Sequence, residues 1–163
     1  MTKEILICGF GGETNTAKLL LDKINFGDKV YLVNDMDKSV QQIVSAIKGD
    51  KYDLVILLGK SSAIVRCIDI EKSASQGTEV YMSNFDFTGM RNFFMDLGYS
   101  VNVTHESTNY LCNNAFFNCL KYISNNNLKA KSVLVHIPGD DNILCLEKLG
   151  KNFENFLKGG LKC

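Results

Sequence analysis

The run Asp53-Leu54-Val55-Ile56-Leu57-Leu58, closed by Gly59, constrains the fold more than any other feature of this sequence. It is apolar without alternation, so a strand built from it must be covered on both faces. That is the signature of a central parallel strand. It is also far too short to span a bilayer. Residues 132–137 (Ser-Val-Leu-Val-His-Ile) repeat the pattern, and shorter strands are predicted at residues 4–8, 30–33 and 99–104. Helices are predicted between them. Residues 15–25 put Ala17, Leu20, Leu21 and Ile24 on one face, and residues 37–48 do the same with Val40, Ile43, Val44 and Ile47. Residues 86–97 turn Phe87, Met90, Phe94 and Leu97 inward, and residues 112–124 turn Phe116, Cys119, Leu120 and Ile123. A last helix is predicted over residues 142–157, with Leu146, Leu149, Phe153 and Phe156 inward. Residues 60–76 give no readable pattern. The alternation predicts one three-layer α/β domain over residues 1–163: a mostly parallel, twisted sheet with helices on both faces. Sites in such folds open beyond the carboxyl ends of the strands.

Charge excludes some partners. Eighteen basic and eighteen acidic residues cancel, and no dense Lys/Arg run occurs, so neither nucleic acid nor an anionic membrane is expected. Residues 5–8 are too short a run for the core of a signal peptide, which predicts a cytoplasmic protein. Six cysteines stand at 8, 67, 112, 119, 145 and 163 with no Cys-x-x-Cys pair and no zinc-ligand spacing. Cys8, Cys119 and Cys145 fall in apolar patterns and read as buried thiols in a reducing compartment.

Three features carry candidate chemistry. Gly9-Phe10-Gly11-Gly12 follows the first strand, but Thr14 stands where a dinucleotide fingerprint needs its third glycine, and the Gly-Lys-Ser/Thr ending of a phosphate loop is missing. A tight strand-to-helix turn fits better, with Phe10 as a pocket wall. Cys112 lies where a helix should start, with Asn113 and Asn114 behind it. Free N–H groups and the helix dipole there predict a thiolate-prone nucleophile. His136 ends an apolar strand just before Pro138-Gly139, on the edge where sites form. A cysteine and a histidine so placed can act as nucleophile and base, with Glu71, Glu79 or Glu106 orienting the imidazole.

These segments resemble one family. Tyr110-Leu111-Cys112-Asn113 after the strand Val101-Asn102-Val103-Thr104, and Val135-His136-Ile137-Pro138, are similar to the cysteine and histidine segments of pyroglutamyl peptidase I (pyrrolidone-carboxylate peptidase). The separation of Cys112 from His136 matches that family's spacing. Ile5-Leu6-Ile7-Cys8-Gly9-Phe10 with Gly11-Gly12-Glu13 and Asn15 resembles its opening. Tyr81-Met82-Ser83 resembles its aromatic-Ser segment, and Glu71-Lys72-Ser73-Ala74 its glutamate motif. The resemblance implies a cysteine peptidase removing an N-terminal pyroglutamyl group from peptides. Cys112 would be the nucleophile, His136 the base and Glu71 its orienter. Phe10, Tyr110 and Leu111 would bind substrate, no cofactor or metal would be needed, and the chain would self-assemble into a homo-oligomer. The sequence also departs from the family. Ser107-Thr108 replaces Ala-Gly, no insertion separates Phe10 from Gly11-Gly12, Lys60 stands where glutamine is usual, and residues 75–80 form an unusually short link after the glutamate motif. The short link predicts a weakened pocket. A related thiol amidase with another substrate, or a non-catalytic ligand- or partner-binding homologue, is the alternative, with a nucleotide-binding flavodoxin-like module behind both.

Overall fold

The computed structural model describes residues 3–63, 65–105 and 110–159. Its strands are β1 (Ile5–Phe10), β2 (Asp28–Leu32), β3 (Leu54–Lys60), β4 (Cys67–Glu71), β5 (Ser73–Gln76), β6 (Glu79–Met82), β7 (Ser100–Thr104) and β8 (Lys131–Ile137). Its helices are α1 (Thr16–Asp22), α2 (Met36–Ile47), α3 (Thr88–Asp96), α4 (Tyr110–Asn125) and α5 (Leu146–Gly159), with a 3-10 turn at Asp140–Asn142. One sheet has the order β2-β1-β3-β8-β4-β7, and β5-β6 form a separate hairpin.

The predicted three-layer α/β architecture is the one observed. β2, β1, β3 and β8 run parallel; β4 is antiparallel to β8, and β7 is parallel to β4. The unbroken apolar runs have the expected cause. Ile56, Leu58, Val133 and Val135 face one core with Leu20, Phe94 and Phe153, while Val55, Leu57 and Leu134 face a second core with Ile43, Phe116 and Ile123. Thus α1, α3 and α5 cover one face, and α2 and α4 the other. Between α3 and α5, Phe93 stacks on Phe156 at 4.6 Å and on Phe153 at 5.8 Å. Phe153 is fully buried, and truncating such a ring costs about 3–5 kcal/mol.

Local chemistry fixes the helix starts. The Asn15 side chain accepts from the Ala17 N–H at 2.9 Å, and Asp35 accepts from the Lys38 N–H at 2.8 Å. The turn before α1 needs Gly12, whose φ is +128°. This is the tight strand-to-helix turn predicted for the glycine loop.

Residues 60–76, unreadable in sequence, contain β4 and β5. The short link of residues 75–80 is the tip of the β5–β6 hairpin, turned at Gly77 with φ +57°. The hairpin is bound to α4 through asparagines. Asn113 donates to the Ser75 carbonyl at 2.9 Å, and Asn114 accepts from Gln76 Nε2 at 2.5 Å while donating to the Met36 carbonyl at 3.2 Å. Cys145 departs from expectation. It is exposed, because α5 begins one residue later than Cys145. No described helix is long and apolar enough to cross a membrane.

Candidate active site

Helix and strand length bring the cysteine and histidine together. Sixteen residues of α4 span about 24 Å, and seven residues of β8 about 23 Å. The chain runs down α4 and back up β8, so His136 returns to the level of Cys112. β3 supplies the meeting point. Gly59 pairs with His136 in the parallel β3–β8 register. A Cβ added to Gly59 would lie 2.8 Å from Cys112 Sγ and 3.0 Å from His136 Nε2. Sulfur and nitrogen therefore converge on one spot, no farther apart than the sum of those distances. Only a residue without a side chain leaves that spot open.

Glu71 completes the constellation. Its Oε1 lies 3.1 Å from His136 Nδ1. With Nδ1–H donating to the carboxylate, Nε2 carries the lone pair. Nε2 is buried and has no hydrogen-bond partner among the described residues. A buried unpartnered imidazole nitrogen is costly as structure, and it borders the same space over Gly59 as Cys112 Sγ. Cys112, His136 and Glu71 are 3%, 4% and 3% exposed, so the group is shielded from water. Of the other candidate carboxylates, Glu79 is exposed and pairs with Lys121 at 3.2 Å, and Glu106 lies outside the described residues.

One sequence expectation is corrected. Cys112 is the third residue of α4, yet its thiol is not acidified. Burial, and then the nearby Glu71 carboxylate, push it up from 9.0 to about 12. The resting sulfur is a neutral thiol.

Beside Cys112 opens a cavity of about 700 Å³ whose walls include Phe10, Leu111, Asn15, Lys60, Ser61 and Asp140. Phe10 and Leu111 thus stand where substrate binding was expected. Tyr110 does not: it is 75% exposed and outside the cavity wall. Helical geometry accounts for this, since Leu111 and Cys112 turn toward the sheet and Tyr110 precedes them on the outer side. In sequence, Gly59 reads only as a strand end and Lys60 only as a departure from the family, while Ser61 and Thr104, whose hydroxyl donates to Glu71 Oε2, carry no signal. Among the described residues no group of three or more His, Cys, Asp or Glu side chains could hold a metal ion.

Comparison with known proteins gives a fold-level relationship. No family model matches the chain, and no curated protein matches it by sequence. Solved structures do match. Pyroglutamyl peptidase I from Bacillus amyloliquefaciens superposes with a TM-score of 0.79 at 18% identity, over 97% of this chain and 96% of that one. Pyrrolidone carboxyl peptidase from Thermococcus litoralis gives 0.74 at 19% identity, over 99% of each. The pyrrolidone carboxyl peptidase of Thermus thermophilus gives 0.71 at 18%, over 94% and 97%. The chain shares their fold across nearly its whole length.

Proposed function

We propose that this chain is a cysteine peptidase that removes an N-terminal pyroglutamyl group from peptides. The observation that carries the reading is the convergence of Cys112 Sγ and the unpartnered His136 Nε2 on the space left by Gly59. The fold shared with pyroglutamyl peptidases supplies the substrate class.

The chemistry follows from the protonation states. A thiol held near 12 does not wait as thiolate, so His136 must take its proton as sulfur attacks the carbonyl carbon. Glu71 holds Nδ1–H and stabilises the imidazolium that forms. The carbonyl oxygen gains negative charge, which hydrogen-bond donors at the site must receive. Collapse breaks the C–N bond, and His136 returns its proton to the leaving amine. Water, deprotonated by His136, then cleaves the thioester and frees the acid and the thiol.

The cavity favours one further reading, a thiol amidase of altered substrate. Tyr110 lies outside the wall, and Lys60 and Asp140 put charge into it. A fluorogenic pyroglutamyl amide tests both. Release of the amine by the wild type, and loss of nearly all of the rate in Cys112→Ser, supports the main reading. Turnover of other acyl amides in its place supports the alternative. No turnover of any amide refutes both.

A further inference from the structure

Two carboxylates of β4 lie on the face that carries His136, and among the described residues Glu71 is the one bonded to it. Residues 67, 69 and 71 of β4 share the face that carries His136, because the antiparallel register sets Asp69 opposite His136 and Glu71 opposite Leu134. Register alone would make Asp69 the imidazole's neighbour. The bond is nevertheless made by Glu71, which reaches along the strand to Nδ1. The parallel partner strand explains the choice. β7 sets Asn102 beside Asp69 and Thr104 beside Glu71. Asn102 Nδ2 donates to Asp69 Oδ1 at 3.1 Å, and the Thr104 hydroxyl donates to Glu71 Oε2.

We infer that Thr104 is a positioning residue: its hydroxyl anchors one oxygen of Glu71 so that the other faces His136 Nδ1 and fixes the imidazole tautomer. This rests on the proposed peptidase reading, which it deepens. The terminal torsion of a glutamate is broad, so a single bond to His136 leaves the carboxylate free to swing. A second bond to a β-branched residue, stiff at its own χ1, removes that freedom. The Thr104 backbone is pinned independently, because its carbonyl accepts from the Lys72 N–H at 2.7 Å. The hydroxyl is therefore not needed to pair β7 with β4.

The test compares Thr104→Val, which keeps shape and removes the donor, with Thr104→Ser, which keeps the donor. Steady-state rates on the pyroglutamyl amide are read beside the imidazole ¹⁵N shifts of histidine-labelled protein. Those shifts report which ring nitrogen holds the proton, and the chain has only 2 histidines to resolve. The expected result is a kcat about 10- to 100-fold lower in Thr104→Val with KM little changed. His136 should be the Nδ1–H tautomer in the wild type and a mixture in Thr104→Val, with both properties restored in Thr104→Ser. Unchanged shifts in Thr104→Val, or failure of serine to restore them, overturn the role whatever the rates do. If the wild type cleaves no amide, the peptidase reading falls while the shifts still decide for or against Thr104. Thr104→Ala supplies the same shifts should the valine variant not fold.

Discussion

Replacing Gly59 by alanine should separate catalysis from folding. The added Cβ would stand 2.8 Å from Cys112 Sγ, 2.8 Å from His136 Cδ2 and 3.0 Å from His136 Nε2. Ordinary contacts between such atoms lie near 3.5–4.0 Å, so sulfur and ring must retreat by roughly 0.5–1 Å. A misplacement of about 1 Å at reacting groups can cost on the order of 100-fold in rate. The same overpacking costs about 1–3 kcal/mol of stability. At roughly 2–4 °C per kcal/mol for a chain of this size, Tm should drop by about 2–12 °C. Gly89→Ala is the control, because nothing lies within 4 Å of a Cβ there. Rates come from the fluorogenic amide and Tm from circular dichroism. A folded Gly59→Ala protein with wild-type kcat would refute the idea that sulfur and imidazole meet over Gly59.

Three more outcomes follow from the same geometry. Burial holds Cys8, Cys112 and Cys119 well above 9.0, the latter two at about 12, and raises Cys67 as well, so the folded chain keeps protons that the unfolded chain releases above that pH. Stability contributed below pH 9 should then be lost as pH rises toward 12, by up to about 4 kcal/mol per pH unit, and urea titrations at pH 8–10.5 should find a stability that falls with pH and falls less in Cys119→Ala. His136→Ala should abolish turnover and cost about 1.5–3 kcal/mol, because it removes one of the two side-chain hydrogen bonds that the buried Glu71 carboxylate accepts; thermal melts check it, and an unaltered Tm would contradict it. Asn113→Ala should loosen the hairpin at its Ser75 contact with α4, raising hydrogen exchange at the Ser75 amide by about tenfold while the amides of β8 stay protected.

How much of this was legible in sequence depended on which forces each segment answers to. β3 and β8 were readable because both their faces are buried, and α1, α3 and α5 because their apolar stripes meet one core. β4 was hidden by its own function. Ile68 and Ile70 enter the core, but Cys67, Asp69 and Glu71 alternate with them on the site face, and five residues so divided leave a weak signal. β5 reads Ser-Ala-Ser-Gln, with low strand propensity, and owes its conformation to Asn113 and Asn114 across the sequence. Cys112 and His136 stood out by position, at a helix start and a strand end, and by the family resemblance, and only the resemblance singled out Glu71 from Glu79 and Glu106. The ionisation of Cys112 was misjudged because the helix start speaks for thiolate, while burial and Glu71, invisible locally, speak more strongly against it. The role of Gly59 could not be read either, since a close approach of two side chains belongs to the packing rather than to any pattern around the glycine.

If Cys112 attacks the acyl carbon of a pyroglutamyl amide, acid-quenched mass spectrometry during turnover will capture the thioester. A protein population heavier by one pyroglutamyl acyl group is expected, mapped after digestion to Cys112 and absent from Cys112→Ser. An acyl group found instead on the exposed Cys145, or amide turnover that survives in Cys112→Ser, would contradict it.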